Sequence, residues 1–324
     1  MKQLNKYNAG WLALSVIIYF VVQMLIQADV IDYYYQITLM NICMDIILAL
    51  GLNLIIGFTG QFSLGHAGFM SIGAYCCAIM MLKMPDLTGF LLGLLLGVIV
   101  ASLVALIVAI PTLRLKGDYL AIATLGISEI IRIAILNMGD LTNGAAGLSG
   151  MPILNNWTLS FFGIMLSLII IVNYIKSSPG RATIAIREDE IAAESMGINT
   201  TKYKTIAFVI GAFTASIAGS LYASSFSMIK PDNFGFMKSV DILIIVVFGG
   251  LGSVTGTIIA AISLGILNML LQPFGQLRMI IYAIALIAIM VFKPGGLLQH
   301  KELSMKKLFG RLSKKNTPKK EASK

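Results

Sequence analysis

The chain has 324 residues, of which 57% are hydrophobic and only 12% charged, with a formal net charge of +9 and a mean hydropathy of +0.87. A soluble domain carries about 25% charged residues, so a water-facing globule is excluded, and a chain this apolar cannot stay dispersed as a disordered coil. What remains is an all-α, polytopic helical membrane protein.

The basic start, with Lys2 and Lys6, precedes a first apolar run at Trp11–Gln27. No small-x-small cleavage pattern follows it, which predicts a retained span rather than a removed leader. Further runs lie at 36–56, 67–82, 89–111, 119–137, 158–175, 205–226, 239–249, 256–271 and 278–292. Ten crossings of about 20 residues consume roughly 200 residues. The connections are then short, apart from 176–204 and the C-terminal tail. The domain reading is one transmembrane domain over 1–292, containing the cytoplasmic loop 176–204, followed by a basic cytoplasmic tail over 293–324. The run 239–249 reaches only about 16 Å as a helix. It reads as a short or tilted crossing completed by part of the Gly-rich segment after it, with a re-entrant half-helix as the alternative.

Counting Lys and Arg orients the chain. With the N-terminus inside, nineteen of the 24 basic residues fall on the inner side, four (Lys83, Lys230, Lys238 and Arg278) on the outer side, and Arg132 within a span. Basic residues concentrate on the cytoplasmic side, so both termini are predicted to be cytoplasmic in a multi-pass membrane protein. Ten of the basic residues lie in 293–324. They read as an anchor against membrane lipids, not as a nucleic-acid surface. Cys43, Cys76 and Cys77 lie in apolar runs as small buried hydrophobes. His66 and His300, without paired carboxylates, make no metal site.

Residues 51–75, GLNLIIGFTGQFSLGHAGFMSIGAY, break an apolar stretch with six glycines and with Asn53, Gln61, Ser63 and His66. Irregular, polar backbone at membrane depth is tolerated where protein or a wet cavity satisfies it. These four residues are therefore the candidates for a translocation pathway, beside the alternative of close helix packing through small residues. A second Gly-rich break, FGGLGSVTG at 248–256, suggests paired interrupted helices in two inverted halves. Glu129 and Arg132 lie three apart on one helix face and read as a structural ion pair. Asp45 and Asp241 are the other ionisable groups inside runs. Asp45, with no local partner, is the group that keeps a proton-coupled transporter open.

The loop KSSPGRATIAIREDEIAAESMGINTTKYK at 176–204 predicts one short helix lying along the membrane. Ser178 and Pro179 start it, Gly197 stops it, and Asn199 or Thr200 caps the next. Its Arg187, Glu188, Asp189 and Glu190 mix both charge signs, which suits a protein partner better than a lipid surface.

Taken with DYLAIATLGISEIIRI at 118–133, NGAAGLSGMP at 143–152 and GRATIAIREDEIAAESMGIN at 180–199, the two Gly-rich segments resemble LivM-type permeases. These form one of the two membrane subunits of bacterial branched-chain amino acid ABC importers. The resemblance covers most of 37–296 in order. It implies a type II-like importer bundle that carries leucine, isoleucine or valine by alternating access. Implied partners are a second permease subunit, two ATPase subunits and an extracytoplasmic substrate-binding protein. The loop would dock into an ATPase through Arg187–Glu190, Ala192, Ala193, Glu194 and Gly197. In the importer pattern of Glu-Ala-Ala, three residues, then Gly, Ile191 stands at the Glu position. The chain holds no Gly-x-x-x-x-Gly-Lys-Ser/Thr loop to cradle a nucleotide. It is read as no enzyme and as binding no cofactor itself, ATP and Mg belonging to the ATPase subunits. A same-family carrier of urea or another small polar solute and an ion-coupled secondary transporter are the alternatives.

Overall fold

The computed structural model describes residues 2–115 and 117–275 and, beyond these, 277, 280, 281, 283, 284, 287, 296 and 297. The tenth run at 278–292 and the tail 293–324 therefore fall, but for those few positions, outside the described residues. Eleven α-helices carry the described chain: α1 (Lys2–Gln27), α2 (Tyr33–Asn53), α3 (His66–Lys83), α4 (Leu87–Thr112), α5 (Asp118–Asn137), α6 (Trp157–Lys176), α7 (Ser178–Glu188), α8 (Glu190–Ser195), α9 (Thr200–Ser225), α10 (Phe236–Gly249) and α11 (Val254–Leu270). One turn of π-helix prolongs α2 to Phe58. Among the described residues six helices are long and apolar enough to cross a membrane, and the apolar stretches Ala13–Gln27 and Val254–Leu270 are shorter. This is a polytopic helical membrane protein.

The bundle has an inner and an outer layer. Helices α2, α3 and α9 are mostly buried, whereas α4, α5 and α6 show most of their surface outward. Small residues let the backbones of the inner layer approach closely, which replaces the hydrophobic effect as the packing force in lipid. A Cβ on Gly219 of α9 would lie 1.9 Å from the Met70 carbonyl oxygen of α3, and one on Gly73 would lie 2.2 Å from that of Ser216. Only glycine permits this crossing. Helices α2 and α9 run antiparallel, since Ile55 meets Gly211 while Gly51 meets Thr214. At the edge, α1 leans on α6 through Tyr19 Oη and Thr158 Oγ1 at 3.2 Å and Trp157 Nε1 donating to the Tyr19 carbonyl at 3.3 Å.

Two of the inner connections are irregular and run back into the bundle. After α2, residues 59–65 climb beside α5, where Leu64 N donates to Thr124 Oγ1 at 3.0 Å, and α3 starts at His66, against Gly51. After α9, residues 226–235 pass a two-residue strand, a 3-10 turn (Pro231–Phe234) and then α10. The Phe234 ring packs edge-on against Tyr75 and Tyr222. Helix α10 begins level with Asp45, the midpoint of the 26-residue Tyr33–Phe58 span. It ends where Gly252 N donates to Asn53 Oδ1. Its 14 residues give about 21 Å, some two-thirds of a core of about 30 Å. The remainder is supplied by 226–235 before the helix, not by the Gly-rich segment after it. That segment, with Gly250 at φ +103 and Gly252 at φ +80, reverses the chain into α11. The break that mirrors 59–65 is therefore 226–235, not 248–256. Helices α3 and α10 start side by side, with Ala67 N donating to Ser239 Oγ at 3.2 Å.

Candidate functional site

The loop 176–204 forms a corner on the side of the bundle where α2 ends. Ser177, not Ser178, caps α7, its Oγ accepting from Gly180 N at 3.2 Å, with Pro179 in the first turn. The single helix expected across 179–197 is two. Asp189 ends α7 and caps α8, its Oδ1 accepting from Ile191 N at 2.9 Å and Ala192 N at 3.0 Å. A carboxylate with two such local acceptor roles competes with helix continuation. Gly197 closes α8 at φ +82, and a Cβ there would meet nothing within 4 Å. Asn199 caps α9, accepting from Lys202 N at 2.9 Å.

The charges of this corner are largely used within it. Glu190 pairs with Lys204 Nζ at 2.7 Å, and Glu194 Oε1 accepts from Thr200 Oγ1 at 2.7 Å. Arg187 contacts Glu188 and donates from Nη1 to the Gly57 carbonyl at 2.8 Å. Ala193 is buried. The outward surface adds two large apolar side chains to these charges: Ile191 is 73% and Met196 83% exposed, beside the exposed Glu188, Asp189, Ala192 and Glu194. Ile184, seven residues before Ile191, is half-buried, and the break at Asp189 turns Ile191 away from the bundle.

The four pathway candidates separate into two kinds. Asn53, 1% exposed, ties α2 to the α10–α11 turn. Its Nδ2 donates to the Ser253 carbonyl at 3.0 Å and Thr257 Oγ1 at 2.9 Å, and its Oδ1 accepts from Gly252 N at 2.9 Å. Ser63 Oγ accepts from Gly65 N at 3.4 Å. Gln61 and His66 are as deeply buried, but neither end of the amide and neither ring nitrogen makes a hydrogen bond among the described residues. Buried polar atoms are satisfied by protein or water in the great majority of cases. Gln61 and His66 are thus the two of the four whose polar atoms the described residues leave unsatisfied.

A further polar region lies on the outward face of α5 and α10. Glu129 Oε2 meets Arg132 Nε at 2.8 Å, and Arg132 Nη1 also meets Asp232 Oδ1 at 3.1 Å. Asp45 has a partner that sequence proximity hid, since Lys238 Nζ lies 2.8 Å from its Oδ1. Lys238, counted above with the outer loops, stands inside the bundle. Glu129, Arg132, Asp45 and Lys238 keep a quarter or so of their side-chain surface exposed, and Asp232 is mostly exposed. Among the described residues no three His, Cys, Asp or Glu side chains gather as metal ligands. On the far side, 143–152 and 226–229 are joined by a short antiparallel pairing of Leu148 with Ile229.

The family described as "Branched-chain amino acid transport system / permease component" matches residues 36–291. The chain is 35% identical over 287 residues to the high-affinity branched-chain amino acid transport system permease protein LivM of Salmonella typhimurium, covering 78% of this chain and 67% of that protein. It is 28% identical over 290 residues to the permease protein LivH of Escherichia coli K12, covering 79% and 92% respectively. A probable LivM permease of Methanocaldococcus jannaschii is 24% identical over 226 residues, 60% of this chain and 64% of that one. No solved structure matches the chain.

Proposed function

Because the chain belongs to the permease family of branched-chain amino acid transport systems, we propose that it imports leucine, isoleucine or valine as one of two permease subunits of an ATP-driven importer. Its partners are a second permease, two ATPase subunits that bind ATP and Mg, and an extracytoplasmic binding protein that delivers substrate. Both termini and the α7–α8 corner face the cytoplasm in this reading, as the basic residues favour.

The observation that carries the mechanism is the position of Arg187. Its guanidinium joins α7 to the Gly57 carbonyl in the π-turn of α2. It also stands against Gly252 in the turn between α10 and α11, where a built Cβ would lie 2.9 Å from Nη1. A force on the exposed Ile191 and Met196 would therefore reach the ends of α2, α10 and α11 together. Closure of the ATPases would push the corner as a rigid element and rock these helices, alternating access to the path. Asp45, the group on which the ion-coupled alternative rests, is paired with Lys238.

Uptake of labelled leucine into cells expressing the permeases, ATPases and binding protein tests the reading. Isoleucine and valine should compete, urea should not, and uptake should cease without the ATPases. Competition by urea, or uptake that persists on a proton gradient alone, would overturn it.

A further inference from the structure

Helix α5, the Pro231–Phe234 turn and the first half of α10 form one outward face that bears ionisable groups far from either end of the bundle. Hydrocarbon does not accept such groups, and within spans they face protein or a water-filled cavity. Most of them have a close partner: Glu129 and Asp232 share Arg132, and Asp45 holds Lys238. Asp241 is different. It is exposed and stands one turn beyond Lys238 on the same side of α10; Lys238 attracts it from a distance, but its Nζ is bonded to Asp45, and no described group donates a hydrogen bond to Asp241. Lys238 fixes its depth, because its own partner, Asp45, is midway along the Tyr33–Phe58 span. The carboxylate is thus a free acceptor at the centre of the membrane.

We propose that this face lines the substrate path and that Asp241 takes the ammonium group of the amino acid passing along it. This rests on the importer function argued above. A zwitterion needs an acceptor for its ammonium when it leaves water, and a charge-assisted hydrogen bond to a carboxylate is the strong form of that contact. Asp45 and Lys238 balance each other, Glu129 and Asp232 exceed Arg132 by one negative charge, and Asp241 adds a second, so the face as a whole attracts a cationic group. Around it, Phe236 and Met237 are exposed at 42% and 72% and offer apolar surface to a branched side chain. The rival for Asp241 is a cation on the second permease, in which case the face is a plain subunit contact.

Two variants of the assembled transporter separate these outcomes. Asp241→Asn should leave co-purification of all subunits unchanged and lower leucine uptake roughly ten- to a hundredfold, the range set by losing one charge-assisted hydrogen bond. Asp241→Cys, with Cys43, Cys76 and Cys77 replaced by Ala, should react with a water-soluble cationic methanethiosulfonate, and leucine with binding protein and ATP should slow that reaction. Loss of subunit co-purification by Asp241→Asn, wild-type uptake by it, or absence of labelling at Asp241→Cys would each overturn the proposal. Wild-type transporter measured in parallel isolates the functional reading. If it takes up no leucine, that reading fails by itself, and labelling at Asp241→Cys still decides whether the face is wetted.

Discussion

Replacing Asn53 separates a tether from a pathway group. Asn53→Ala removes two donated hydrogen bonds, to the Ser253 carbonyl and Thr257 Oγ1, and one accepted from Gly252 N. The Ser253 carbonyl remains satisfied by Thr257 Oγ1 at 2.8 Å and Thr257 N at 3.1 Å. Gly252 N–H loses its acceptor. An orphaned buried donor costs about 1–3 kcal/mol, and the two lost bonds add about 0.6 kcal/mol each, the average for polar contacts between membrane helices. The expected loss is therefore roughly 2–4 kcal/mol. Thr257→Ala, which removes the contact to Nδ2 and the Oγ1 bond to Ser253, should cost about 0.5–1.5 kcal/mol. The double variant should fall short of the sum, because the two residues share a bond. Thermal denaturation of the detergent-solubilised permease, followed by size exclusion of a fluorescent fusion, reads the order of the three. An Asn53→Ala permease that denatures like the wild type but transports nothing would refute the tether and return Asn53 to the path.

Gly197→Val forces a branched residue to φ +82 at a cost of about 1–2 kcal/mol, so α8 should be misplaced and ATPase co-purification reduced while insertion of the spans is unchanged; Gly197→Asn, tolerant of that conformation, should be mild. Glu190→Lys should weaken the corner by repelling Lys204, now 2.7 Å from the carboxylate, and adding Lys204→Glu should restore leucine uptake at least in part. Gly219→Leu should prevent the close crossing of α9 on α3, where even a Cβ would lie 1.9 Å from the Met70 oxygen, and the permease should aggregate when solubilised.

Six of the ten expected spans were legible, because each is a continuous apolar run, and a run in lipid has only the helix to form. The expected 89–111, 119–137 and 158–175 agree with α4, α5 and α6 to within two residues at each end. What escaped the sequence was carried by distance along the chain. Asp45 and Lys238 are 193 residues apart, and Asn53 and Gly252 are 199 apart, so no spacing rule joins them. The shortness of α10 was visible, but its cause was not, since nothing in 226–235 signals that the chain turns back there ahead of the helix. In the 176–204 corner one signal was readable and overlooked. Asp189 stands just before Glu190-Ile191-Ala192-Ala193, an N-cap residue followed by good helix formers. Seen as a cap, it divides the loop into two helices and withdraws Asp189 from the docking charges.

The claim that the α7–α8 corner transmits the ATPase stroke is tested most directly by photocrosslinking in living cells. A photoreactive amino acid is placed at Ile191 or Met196, the two exposed apolar side chains of the corner, and illuminated in cells that express the whole transporter. Both positions should yield an adduct of this permease with an ATPase subunit, and Ile127, on α5 within the bundle, should not. Adducts at 191 and 196 with the binding protein, or with no ATPase at all, would place the corner elsewhere and contradict the mechanism.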